Sequence, residues 1–76
     1  MRKYLNKQTV ISIQFGVEVR DCNIVVTFQG FRAIYYKPIG RPLLVLRERS
    51  KTDDDELISG ALQAANDKAR ELGWIV

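Results

Sequence analysis

The first two thirds of the chain alternate apolar and polar residues with a period of two, the signature of strands that bury one face. Ile11, Ile13, Phe15, Val17 and Val19 alternate with Val10, Ser12, Gln14, Gly16, Glu18 and Arg20, which predicts one long strand. Asp21-Cys22-Asn23 follows, with residues that tolerate tight backbone geometry. A second strand is predicted over 23–29, with Ile24, Val26 and Phe28 on one face. Gln29-Gly30 reverses it, the glycine accepting the positive φ of a tight hairpin. Phe31, Ala33 and Tyr35 continue the same face on a third strand that ends near Lys37. Pro38-Ile39-Gly40-Arg41-Pro42 reads as a rigid turn, and a fourth strand over 43–49 completes a meander.

The hairpins check one another. A two-residue turn at Cys22 and its neighbour pairs Val19 with Ile24, Val17 with Val26 and Phe15 with Phe28. The Gln29-Gly30 turn pairs Phe28 with Phe31, Val26 with Ala33 and Ile24 with Tyr35. If the Pro-Gly loop pairs Tyr35 with Leu44, then Leu46 falls opposite Ala33. Every residue in these pairs is apolar and on one face, and a slip of one residue would turn a whole set to water.

Beyond Lys51 the period changes. Leu57, Ile58, Ala61, Leu62, Ala65, Ala69 and Leu72 recur at helical spacing, with Ser59, Gln63, Asn66, Asp67 and Arg70 opposite. Thr52 or Asp53 can cap the start, and Asp53 with Glu56 approximates a capping box. Gly73 is a good C-terminal stop, with Trp74 placed for the contact of a Schellman turn. The expected fold is α+β: a four-stranded antiparallel meander followed by one C-terminal helix packed on one face, ββββα. A single domain is expected over 1–76, with a loose basic arm over 1–8 (Arg2, Lys3, Lys7), the sheet over 9–49 and the helix over 53–72.

Composition removes much of chemistry. The chain has no histidine and one cysteine, Cys22, which excludes histidine-containing triads, haem-type axial histidine, common zinc sets and an internal disulfide. No apolar run exceeds four residues (Leu43 to Leu46), so no membrane span is expected and the cytoplasm is the default location. No G-x-x-x-x-G-K loop is present. Asp53-Asp54-Asp55-Glu56 is the densest carboxylate cluster, but acids in a first helical turn are favoured by the helix dipole without a metal. Cys22 lies near Arg20 with no base in sequence reach. Tyr35 and Tyr36 fall on opposite faces, so no nucleophile, base and orienting group come together. The expectation is a protein without catalysis, cofactor, metal or small-molecule substrate.

The sheet face away from the helix is the informative surface. Val25, Thr27, Ile34, Tyr36, Leu43 and Val45 lie near its centre, with Arg20, Arg32, Arg47 and Arg49 around them. A contiguous exposed apolar patch marks an interaction site, and arginine and tyrosine around an apolar centre are common in interface hot spots. Val25, Ile34, Tyr36, Leu43 and Val45 are therefore candidates for a protein interface. Ile11 and Ile13 join them, because the long first strand outruns its hairpin partner and offers an edge for a dimer two-fold. The alternative is a bulge at Gly16 that lets the early segment pair elsewhere or curl over the core.

Charge opens a second reading. Ten lysines and arginines face three acids up to Lys51, whereas two face six beyond it, for a net charge of +3. Such polarity can steer an anionic partner or align two copies, and Arg20, Arg32, Arg47 and Arg49 are the candidate nucleic-acid contacts. The stretch from Gly16-Val17 through Asn23-Ile24 and Phe28 to Gly30-Phe31-Arg32 resembles the arm-type DNA-binding domain at the N-terminus of phage-type tyrosine recombinases. That resemblance, over about residues 16–32, implies a small sheet backed by a helix and laid in the major groove, with Arg20 and Arg32 first in line for DNA. Val25 and Thr27 depart from it, standing where a DNA-reading strand would offer basic or amide groups. A double-stranded RNA-binding domain would need bases at the helix start, where this chain has Asp53-Asp54-Asp55. The expected function is a small binding module that self-associates, as a dimer, or holds a protein partner through the sheet face. The alternative is DNA binding by the same face.

Overall fold

The computed structural model describes residues 14–76. Four strands form one open antiparallel sheet in sequence order: β1 (Gly16–Arg20), β2 (Asn23–Phe28), β3 (Phe31–Tyr36) and β4 (Val45–Arg49). A single helix, α1 (Asp55–Glu71), follows. The expected ββββα architecture is therefore what the chain adopts. The basic arm, and with it Ile11 and Ile13, lies outside the described residues.

Both tight hairpins keep the register that alternation dictates. Val17 faces Val26 and Val19 faces Ile24 across the first. Val26 faces Ala33 and Ile24 faces Tyr35 across the second. Gln29 and Gly30 both take positive φ, 43° and 84°, the backbone twist that two-residue hairpins require. Asp21 does the same in the first turn, at 55°, a conformation that aspartate tolerates better than most residues.

The fourth strand departs from expectation. Leu46, rather than Leu44, lies opposite Tyr35, and Arg49 lies opposite Ala33. A register shift between Ile34 and Tyr35 leaves Arg47 as the extra residue, so β4 carries a bulge. Leu44 precedes the strand and packs against the core from the loop.

Helix α1 lies mainly over β2, with a smaller contact to β1. Ala61, Ala65 and Ala69 form a fully buried stripe against Ile24, Val26, Phe31, Ala33 and Tyr35. Small side chains at four-residue spacing let the helix approach closely, which explains why bulkier Leu62 and Leu72 stay 43% and 40% exposed rather than joining the packing face. Asp54 caps the helix: its Oδ1 accepts from the Glu56 N–H at 3.0 Å and the Leu57 N–H at 3.3 Å. The Thr52 hydroxyl oxygen in turn accepts from the Asp54 N–H at 3.1 Å, so Thr52 orders the cap rather than forming it. At the other end the Trp74 N–H donates to the Ala69 carbonyl and the Gly73 N–H to that of Arg70, with Gly73 at φ 79°. This is the expected Schellman turn, and it folds Trp74 and Ile75 back onto the core.

Phe15 closes the open end of the core. Its ring lies 5.7 Å from that of Phe28, tilted by 58°. It also fills the notch left by Gly60, where an added Cβ would come within 2.8 and 3.0 Å of ring atoms. Alanine at that position should gain about 1 kcal/mol of helix propensity yet lose roughly 1–3 kcal/mol to overpacking. Gly60→Ala is therefore expected to lower stability in urea titrations, whereas the same change in a Phe15→Leu background should raise it. Stabilisation by Gly60→Ala alone would remove Phe15 from this contact.

Candidate protein-binding face

The face of the sheet away from α1 is built from cross-strand rows fixed by the register. One row runs Arg20, Asn23, Tyr36, Val45, and the next runs Glu18, Val25, Ile34, Glu48. A third carries Gly16, Thr27 and Arg32, where Ser50 ties the β3 backbone by accepting from the Arg32 N–H at 3.0 Å. The Ser50 N–H returns a bond to the Arg32 carbonyl at 2.8 Å.

Two of the sequence-derived interface candidates are not exposed. Val25 is 7% and Ile34 9% accessible, and neither belongs to the cluster under the helix. Both sit on the two inner strands, between Glu18 and Glu48 in the same cross-strand row. The apolar surface is thus displaced from the centre of the face to its β3–β4 corner. There Tyr36 and Val45 are directly paired and half-buried, and Leu43 is 41% exposed at the entry to β4. The Arg47 guanidinium lies 4.5 Å from the centroid of the Tyr36 ring, a cation–π contact that holds the arginine against the patch.

The bulge also sorts the four candidate nucleic-acid arginines. Strict alternation places Arg47 and Arg49 on the same face, but the extra residue reverses the pattern after Arg47. Glu48 now shares the outer row with Ile34, and Arg49 pairs with core-facing Ala33. Arg49 instead acts on Tyr35: burial pushes the Tyr35 hydroxyl above its ordinary pKa of 10.0, and the Arg49 charge opposes that rise. On the outer face Arg20, Arg32 and Arg47 remain, opposed by Glu18 and Glu48. Arg20 is paired with Glu18 at 3.0 Å, and the hydrogen bond and charge of that carboxylate raise its pKa. The ring of arginines expected around an apolar centre is thus mixed with acids, Glu18 and Glu48 standing at the two ends of one row.

Other chemistry is thin among the described residues. No group of three or more cysteine, aspartate or glutamate side chains is placed to hold a metal, and the first-turn acids are engaged in starting the helix. Cys22 is exposed in the first turn. A shallow depression of about 340 Å³ runs along the solvent side of α1, lined by Ser59, Leu62, Gln63, Asn66, Asp67 and Arg70. Its Asp67–Arg70 pair, at 3.2 Å, is an ordinary i,i+3 surface contact. No described helix is long and apolar enough to cross a membrane.

The inward turn of Arg49 has a measurable consequence. Tyr35 is neutral in the fold and its folded pKa lies above the unfolded one, so its contribution to stability is complete below pH 10 and is lost as pH rises through the folded value. Tyr35 should ionise above pH 10 in an absorbance titration, and Arg49→Met should delay it further. An unchanged Tyr35 titration in Arg49→Met would return Arg49 to the outer face.

No protein-family model matches the chain, and neither curated proteins nor solved structures give a significant match.

Proposed function

We propose that this chain is a small non-enzymatic binding module that holds a protein partner at the β3–β4 corner of its sheet. The observation that carries this reading is the Tyr36–Val45 pair, capped by Arg47 at 4.5 Å from the tyrosine ring and extended by exposed Leu43. Tyrosine and arginine beside an aliphatic surface supply large contact area with little ordering cost, the composition of interface hot spots. An exposed cation already stacked on that ring is pre-organised for contact.

The DNA-binding alternative draws less support. Of the four arginines assigned to it, Arg49 turns to the helix side and Arg20 is engaged by Glu18. Glu48 enters the same face, and like charges opposed to phosphate weaken the counterion-release gain that drives such binding.

The two readings separate experimentally. Affinity capture with the full chain should retain a protein species that survives Arg32→Ala and is lost, by at least about tenfold, with Tyr36→Lys or Leu43→Glu. Circular dichroism confirms that each variant is folded. A short random-sequence duplex should not bind at moderate salt. Duplex binding that weakens with salt and with Arg32→Ala and Arg47→Ala would replace this reading by the nucleic-acid one.

A further inference from the structure

The two edges of the sheet are finished differently. At β4 the bulge at Arg47 breaks the regular ladder, and three consecutive charged residues, Arg47, Glu48 and Arg49, occupy the strand end. Bulges and edge charges are the usual means of preventing strand addition. Strand β1 has no bulge among its described pairings, and its two charges, Glu18 and Arg20, are of opposite sign and already pair with each other. Its five residues are regular and exposed throughout, and among the described residues nothing pairs with its outer side.

The ladder phase of β1 follows from the first hairpin. Arg20 faces Asn23 across the two-residue turn, so Arg20, Glu18 and Gly16 direct their backbone groups toward β2. Val17 and Val19 then direct their N–H and C=O groups to the open side. Their side chains, on the helix side of the sheet, are each 37% exposed. Glu18 and Arg20 project from the opposite face, 3.0 Å apart.

We propose that β1 pairs antiparallel with β1 of a second copy of this chain, about a two-fold axis through Val19. In that register Val19 meets Val19 of the other copy and exchanges both backbone hydrogen bonds with it. Glu18 of each copy lies directly opposite Arg20 of the other, so one strand carries both halves of two reciprocal ion pairs. Shifting the axis by one residue to Glu18 would instead set the two Glu18 carboxylates face to face, which is unfavourable. The charge order of the strand therefore selects both the partner and the register. This interface is at the opposite edge from the β3–β4 corner and does not depend on the function assigned to that corner.

Light scattering after size exclusion tests it with the full chain. The wild type is expected at twice the 8.7 kDa chain mass at micromolar concentration. Glu18→Arg and Arg20→Glu should each run as folded monomers, because each places like charges opposite one another. Mixed in equal amounts, those two variants should recover the dimer mass, which also shows that neither failed by misfolding. The double variant Glu18→Arg with Arg20→Glu should dimerise with itself but not with the wild type, as read by native mass spectrometry. A monomeric wild type, single variants that remain dimers, a mixture that stays monomeric, or hybrids of wild type and double variant would each overturn the proposal. Tyr36→Lys should leave the mass unchanged, and loss of the dimer in that variant would move self-association to the corner and overturn the β1 interface.

Discussion

The close approach of α1 to β2 is the contact on which the rest depends. Ala61, Ala65 and Ala69 bring the helix backbone down onto Ile24 and Val26, the largest fully buried side chains described. Alanine adds little apolar area of its own, so the gain comes from completely desiccating those two residues and their neighbours Ala33 and Tyr35. The cost of so narrow a contact is a core that reaches only the middle of the sheet. Val17 and Val19 on one edge and Leu46 on the other point to the helix side yet stay between a third and a half exposed. Phe15, Trp74 and Ile75 fill in from the ends. Truncating Ile24 would remove about 2–5 kcal/mol, a large part of what a domain this small can hold.

The second determinant is the bulge in β4. A single extra residue decides which charges share a surface, because side-chain direction alternates strictly on either side of it. Without it the outer face would present Arg47 and Arg49 together. With it, Glu48 faces outward and Arg49 turns to the buried tyrosine. The face that strict alternation would make basic is a mixed one, and Arg47 is left beside Tyr36 as part of an apolar corner.

How far the sequence disclosed this depends on where alternation was unbroken. The registers of β1, β2 and β3 were legible because both turns have room for only two residues, and that register sets the apolar residues of the helix side opposite one another. In the fourth strand the pattern is silent: Leu43-Leu44-Val45-Leu46 is continuously apolar and Arg47-Glu48-Arg49 continuously charged. Neither run distinguishes one face from the other, so the bulge left no trace. The helix cap was expected at Thr52 or Asp53 and falls on Asp54, since consecutive aspartates are equally competent acceptors and only the helix phase chooses between them. Val25 and Ile34 were assigned to the correct face, but alternation reports only the face of a residue and not how far that face is covered.

A two-fold perpendicular to the sheet would join the two proposals, assembly at one edge and recognition at the opposite corner. Pairing through β1 would extend two four-stranded sheets into one, with both outer faces on the same side and the two β3–β4 corners at its far ends. At a strand spacing of about 4.8 Å those corners would stand roughly 30 Å apart. Two identical, weak, half-buried aromatic patches at fixed separation bind a partner with matching sites far more tightly than either does alone, since the second contact becomes intramolecular. A chain of 76 residues has little surface for a large interface of its own. A sheet divided in that way, with one edge for assembly and one corner for recognition, would give so small a core both affinity and spacing.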